Sequence, residues 1–140
     1  MLGAGRTMRK AFDNPSTVPA PAGSYSHVAR LELDGGVLLV VSGQVAAGAD
    51  GELVGEGDMT AQSERVFDSL GAILAAHGAT FADVINIRTY VTDMDRIREY
   101  ALVRRRYLTG DPPTSTTVEV SRLVMPGALV EVEVMAALGG

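Results

Sequence analysis

Leu129-Val130-Glu131-Val132-Glu133-Val134-Met135-Ala136 alternates between apolar and polar residues with period 2. Ahead of it, Pro112-Pro113-Thr114-Ser115-Thr116-Thr117-Val118-Glu119-Val120-Ser121-Arg122 carries the same kind of alternation. This period marks half-buried β-strands. In the second stretch Val130, Val132 and Val134 share one face, and Glu131 and Glu133 share the other. Same-face neighbours on a strand lie about 6.5–7 Å apart. Two carboxylates that close, aimed the same way, are either solvated or held at a polar site.

Upstream, the chain supplies the rest of a sheet and its cover. Ser24 to Leu33 reads as a strand, and Asp34-Gly35-Gly36 as a hairpin turn, since glycine tolerates positive φ. Val37-Leu38-Leu39-Val40-Val41 is a continuous apolar run, the pattern of a strand buried on both faces. Ser42-Gly43-Gln44 ends it; the glycine fits a bulge or a close approach of backbone to ligand. A glycine-rich loop covers residues 45–57. Asp58 then caps a helix from about Met59 to His77, with Val66, Leu70, Ile73 and Leu74 on one stripe and Gly78 placed to end it. His77 reads as a surface residue of the last turn.

Asp83 to Val91 is a further strand, with Ile85, Ile87, Thr89 and Val91 expected on one face and Asn86, Arg88 and Tyr90 on the other. Asp93 or Asp95 caps a second helix that runs to about Leu108. Residues 1–18, with Pro15 among glycines and alanines, read as an irregular N-terminal arm whose first residues are free to be disordered. Residues 19–140 form one domain. The order β-β-α-β-α-β-β gives an α+β fold: a mixed sheet with both helices on one face. The other face, carrying Thr, Ser and Glu among Val and Met, suits a subunit interface better than open water.

Composition narrows the function. The 140 residues include no cysteine, which removes disulfides, thiolate nucleophiles and Cys-ligated zinc. Two histidines, His27 and His77, lie too far apart in sequence to indicate a metal site. A net charge of -5 argues against nucleic-acid or membrane-surface binding. The triplet Arg104-Arg105-Arg106 is short, has only Tyr107 as an aromatic neighbour, and makes a weak nucleic-acid platform. No apolar run reaches the roughly 18–20 residues of a membrane span. With no apolar leader at the N-terminus, the expected location is cytoplasmic.

Five stretches, in this order and at these distances, resemble one family. They are Gly23-Ser24-Tyr25-Ser26-His27, Val41-Ser42-Gly43-Gln44, Val91-Thr92-Asp93-Met94, Val118-Glu119-Val120-Ser121-Arg122-Leu123 and Gly127-Ala128-Leu129-Val130-Glu131-Val132-Glu133. Together they are similar to the Rid family (reactive intermediate deaminase, also called YjgF), over about residues 19–138. The resemblance implies a chorismate-mutase-like fold of the Bacillus type and a homotrimer in which three sheets form a barrel, with pockets in the subunit clefts. It implies hydrolysis of a small enamine or imine, such as 2-aminoacrylate, to a 2-keto acid and ammonia, with no cofactor and no metal.

Carried over by position, Tyr25, Ser42, Gly43 and Glu131 match pocket residues, Glu131 being the one that helps to place or activate water. The arginine that binds a substrate carboxylate in the deaminase branch falls on Ser115 in Pro113-Thr114-Ser115-Thr116-Thr117. Thr117 stands where that branch often has Cys, and Ala101 where it often has Asn. The resemblance therefore implies a branch without that arginine, and not an efficient 2-aminoacrylate deaminase. Arg88 is the substitute guanidinium that the strand pattern offers, or else the cross-sheet partner of Glu119, Glu131 or Glu133. The alternatives are a non-catalytic trimer that binds a small metabolite in the same cleft, and, disfavoured by charge, an endoribonuclease.

Overall fold

A computed structural model describes residues 7–139 of the chain. Its elements are β1 (Met8–Asp13), β2 (Val28–Leu33), β3 (Gly36–Gln44), α1 (Met59–Ala76), β4 (Val84–Val91), α2 (Ile97–Tyr107), β5 (Thr114–Glu119) and β6 (Val130–Gly139). The strands form one six-stranded mixed sheet in the order β1-β2-β3-β6-β4-β5. Only β4 and β5 pair in parallel. A parallel pair needs a crossover, and α2 supplies it.

The strand that opened the reading, β6, sits at the centre of the sheet between β3 and β4. Its alternation holds: Val130, Val132, Val134 and Ala136 are buried, while Glu131, Glu133 and Met135 lie on the opposite face and are half-buried. Across the ladder Val134 pairs with Val41 on one side and Ile87 on the other. The core is this face of the sheet packed against Val66, Phe67, Leu70, Ile73 and Leu74 of α1 and Tyr100 and Val103 of α2. Phe67 stacks between Tyr100 and Tyr107, with ring centroids 5.9 and 5.0 Å away.

Both ends of α1 follow from its sequence. The Asp58 carboxylate accepts from Ala61 N at 2.9 Å, satisfying one of the free donors of the first turn. At the other end Gly78 takes φ +76°, Ala79 N donates to Leu74 O at 2.9 Å and Gly78 N to Ala75 O at 3.1 Å. This is the double-bonded glycine stop that absorbs the last carbonyls. Two side-chain ties join the helices: Arg106 to Glu64 at 2.8 Å and the Tyr107 hydroxyl to Asp68 at 2.9 Å.

Four expectations need correction. Residues 8–13 are not part of an irregular arm; they form β1, antiparallel to β2 from Met8–Leu33 to Asp13–Val28. Its residues are all exposed, so edge pairing rather than burial makes this strand; residues 1–6 lie outside the described part. His77 is more than a surface residue. Its Nε2 lies 2.8 Å from Asp13 Oδ2 and its carbonyl accepts from Arg30, so it ties the end of α1 to β1 and β2. The run Val37–Val41 is buried on one face only: Leu39 and Val41 are in the core, but Val40 is 42 % exposed. Ile85 is 47 % exposed and does not share the face of Ile87, because the β4–β6 register shifts between Val84 and Asn86 and puts Val84 inward instead.

Candidate functional site

The site begins at an irregularity. The β3–β6 register shifts between Val41 and Gln44, so Ser42 and Gly43 bulge out of the ladder. Glu131 of β6 folds its side chain over the bulge. A Cβ at position 43 would stand 2.9 Å from Glu131 Cδ and overlap the carboxylate, so a larger residue there would push the Glu131 side chain from its place. The carboxylate opens on a cavity of about 400 Å³ lined by Tyr25, His27, Gly43, Gln44, Met125 and Glu131, among others. Burial pushes the Glu131 carboxyl above the ordinary glutamate range, and the charge of Glu133 adds to the shift; no hydrogen bond offsets either effect. Glu133 is otherwise engaged, accepting from the Tyr90 hydroxyl. That bond, ahead of burial, holds the Tyr90 proton more tightly than usual.

A buried polar cluster fixes the cavity wall. His27 Nε2 lies 2.7 Å from Pro19 O, and its Nδ1 lies 3.2 Å from Gln44 Nε2. A carbonyl only accepts and an amide nitrogen only donates, so these partners assign the ring proton to Nε2. His27 N also donates to Asn14 Oδ1 at 2.8 Å. The imidazole is thus a strut that holds the 14–19 segment against the end of β3. Tyr25 packs edge-on to it, with ring centroids 6.2 Å apart.

The remaining residues singled out from the sequence do not join this cavity within one chain. Ser42 is a tie: its Oγ donates to Ser26 O at 2.6 Å, and its N to His27 O at 2.8 Å. Arg88 lies exposed on the bare face of the sheet, in a shallow recess with Tyr90, Thr116 and Val118. It stands opposite Glu133 in the β4–β6 register, but among the described residues no carboxylate comes within 4.0 Å of it. Ser115 and Thr117 lie on edge strand β5 and face α2. Ser115 Oγ accepts from Arg104 at 3.0 Å, and Thr117 lines a separate recess with Tyr100, Ala101 and Arg104. Glu119 on the same side accepts from Met94 N at 2.8 Å. Among the described residues no group of three or more His, Asp or Glu is arranged to hold a metal ion.

The bulge at Ser42-Gly43 with the carboxylate seated on it thus lies mid-sheet, and β5 (Thr114–Glu119) lies at the far edge. A family model described as Endoribonuclease L-PSP matches residues 15–138. The chain belongs to the Rid/YjgF family. It is 37% identical over 132 residues to Protein DfrA of Myxococcus xanthus, covering 94% of this chain and 97% of that one. To a RutC family protein of Sulfurisphaera tokodaii it is 32% identical over 121 residues, covering 86% and 93%. Among solved structures, a Rid-family protein of unknown function, YyfA, from Yersinia pestis superposes with a TM-score of 0.82 at 30% identity, covering 93% of this chain and all of that one. A YjgF/YER057c/UK114 family member from Mycobacterium tuberculosis gives a TM-score of 0.75 at 30% identity, covering 93% and 100%. The family match covers β2 to β6 and both helices, and the mixed sheet with two helices expected from the strand pattern is observed, with β1 added at its edge.

Two groups of Rid residues therefore occupy two places in a single chain. Tyr25, Gly43 and Glu131 share the cavity at the β3 bulge, while on β5 Thr117 lines the recess under α2 and Ser115 accepts from Arg104. Sequence reasoning missed His27 and Gln44 as wall-builders, and it missed the bond from Arg104 to Ser115. The signal for the last was present: Arg104 follows Ala101 by three residues, one turn along the same helix face.

Proposed function

We propose that this Rid-family protein is a cofactor-independent deaminase of the hydrolase type, acting on the C–N bond of a small enamine or imine at a cleft between subunits of a homotrimer in the cytoplasm. The observation that carries the reading is Glu131: a half-buried carboxylate with a raised pKa, seated on Gly43 and opening on a cavity walled by Tyr25. A base tuned toward the working pH is suited to taking a proton from water as it attacks. In the proposed reaction water adds to the imine carbon and Glu131 accepts its proton. The resulting carbinolamine collapses as nitrogen gains a proton, giving a carbonyl compound and ammonia.

The trimer is supported by the separation of the two residue groups within one chain, which a second copy would close by bringing its β5 edge to the first copy's bulge. The exposed apolar residues of the bare face, Phe12, Leu33 and Val40 among them, support it further. Ser115, at the position of the family arginine, argues against efficient 2-aminoacrylate turnover. It also favours a second reading, a trimer that binds a small metabolite without transforming it. Nuclease action is not favoured, because the chain is acidic.

Glu131→Ala decides between the two readings. Ammonia release from a panel of small imines generated in a coupled oxidase or dehydratase assay should fall to background in the variant, with the mass by light scattering unchanged. Turnover equal to the parent would remove Glu131 from the mechanism, and a parent chain inert on the whole panel would leave the binding reading.

A further inference from the structure

Among the described residues, the cavity at the β3 bulge is lined by one carboxylate, Glu131, and by no lysine or arginine. Glu131 is half-buried there, and no hydrogen bond or salt bridge among the described residues engages its carboxylate. No cation offsets its burial or the charge of Glu133. The side-chain N–H donors of the wall are already engaged. Gln44 Nε2 donates both to His27 Nδ1, at 3.2 Å, and to Ser42 O, at 3.1 Å. The His27 ring proton goes to Pro19 O at 2.7 Å. Tyr25 and Ser69 add only neutral hydroxyls.

An unpaired, half-buried carboxylate is best satisfied by a ligand that brings both a donor and a positive charge. A ligand carboxylate would meet the opposite, a like charge and no side-chain N–H free to hold it. The rest of the wall is apolar: Pro19, Ala22, Val45, Val124 and Met125 line it with the Tyr25 ring. Val124 is 97% exposed, and both it and Met125 also line the neighbouring hollow of the loop before β6, so they stand at the rim. Methionine adapts to irregular apolar shapes. The volume of about 400 Å³ lies at the small end of ligand pockets. The strand that a second copy would bring to the bulge, Thr114–Glu119, adds hydroxyls and the carboxylate of Glu119, but no lysine or arginine. Arg104, which bonds Ser115, lines the separate recess under α2.

We propose that this cavity binds a small organic cation with a planar C=NH2+ head, the head on the Glu131 carboxylate and an apolar body against Tyr25, Val124 and Met125. The substrate class of the site is then the protonated imine of an amine that bears no acid group. This deepens the deaminase reading, on which it rests for the chemistry but not for the binding. The protein supplies the anion and the ligand supplies the charged donor, held by the same kind of charge-assisted hydrogen bond that joins arginine to a carboxylate.

The test is calorimetry on the full chain at neutral pH with probes of one shape and different charge: benzamidine, benzamide and benzoate. Benzamidine, a stable cation with the planar head, should bind on the order of tenfold more tightly than neutral benzamide, the scale of one charge-assisted hydrogen bond. Benzoate should bind no better than benzamide. Glu131→Gln, which keeps the shape and removes the charge, should cost benzamidine about the same factor and leave benzamide within about threefold. Met125→Ala should weaken benzamidine and benzamide alike by about fourfold, the scale of one buried methylene. Thermal melts check that each variant is folded. Benzoate bound as tightly as benzamidine, benzamidine affinity unchanged in Glu131→Gln, or no binding of benzamidine would each overturn the proposal. Glu131-dependent binding of benzamidine to a chain inert on every imine would keep it and remove the deaminase reading. Turnover confined to acid-bearing imines would do the reverse.

Discussion

The two faces of the one sheet are made by alternate residues of the same strands, yet they end in different states. On the helix side Leu39, Val41, Ile87, Val91, Val130 and Val132 are at most 1% exposed. On the other side Met8, Phe12, Leu33 and Val40 remain 42–64% exposed, and towards the β4 edge Arg88, Tyr90, Glu131 and Glu133 replace them. The difference teaches that this chain completes one face with its own helices and leaves the other unfinished. A core of this density is sensitive to any lost volume. An uncovered apolar face is a surface on which another molecule can pack.

Three substitutions sharpen the contrast. Phe67→Ala removes the ring stacked between Tyr100 and Tyr107 on the finished face and should cost about 3–5 kcal/mol, read from urea unfolding; a loss under about 1 kcal/mol would mean that the helix layer is not where the stability resides. Glu131→Gln acts on the unfinished face and in the opposite direction. A carboxyl whose folded pKa is raised is disfavoured as its anion, so it contributes no penalty below the unfolded-state pKa. The penalty grows as pH rises through the folded pKa and is complete above it. The glutamine variant should therefore be more stable at neutral pH by up to about 1 kcal/mol, discounted because the group is only half-buried, with the gain vanishing at low pH. Turnover by the parent should fall as pH drops through the same raised pKa. An acid limb at the value of an ordinary glutamate would show that the cavity does not tune the group.

The smallest effect on folding is expected at Val40. Lysine there should shift the stability of the isolated chain by no more than about 0.5 kcal/mol. It should nevertheless lower the molar mass seen by light scattering, if the bare face is where copies meet. An unchanged oligomer would take that face out of the assembly.

Much of this fold was legible because its two periods are strong. The β6 alternation sorted Val130, Val132 and Val134 from Glu131 and Glu133, and the stripe on α1, with Asp58 and Gly78 at its ends, bounded that helix to within a residue. Less legible were the features that depend on a neighbour. Nothing local in Met8–Asp13 calls for a strand; the edge of β2 and the link from Asp13 to His77 make it one. The inward turn of Val84 in place of Ile85 follows from a register shift that no alternation announces.

For the site the division is similar. Sequence by itself, through motif resemblance, nominated Glu131, Tyr25, Ser42, Gly43, Ser115 and Thr117 as site candidates. Only the tertiary structure decided which of them meet. The β3 bulge seats Glu131 over Gly43, while Ser115 is placed under α2, where Arg104 reaches it. The physical reason is that side-chain type and period are local properties of the chain. Register, bulges and the helix that packs over a strand are settled by long-range pairing, and these set both the raised pKa of Glu131 and the position of the guanidinium.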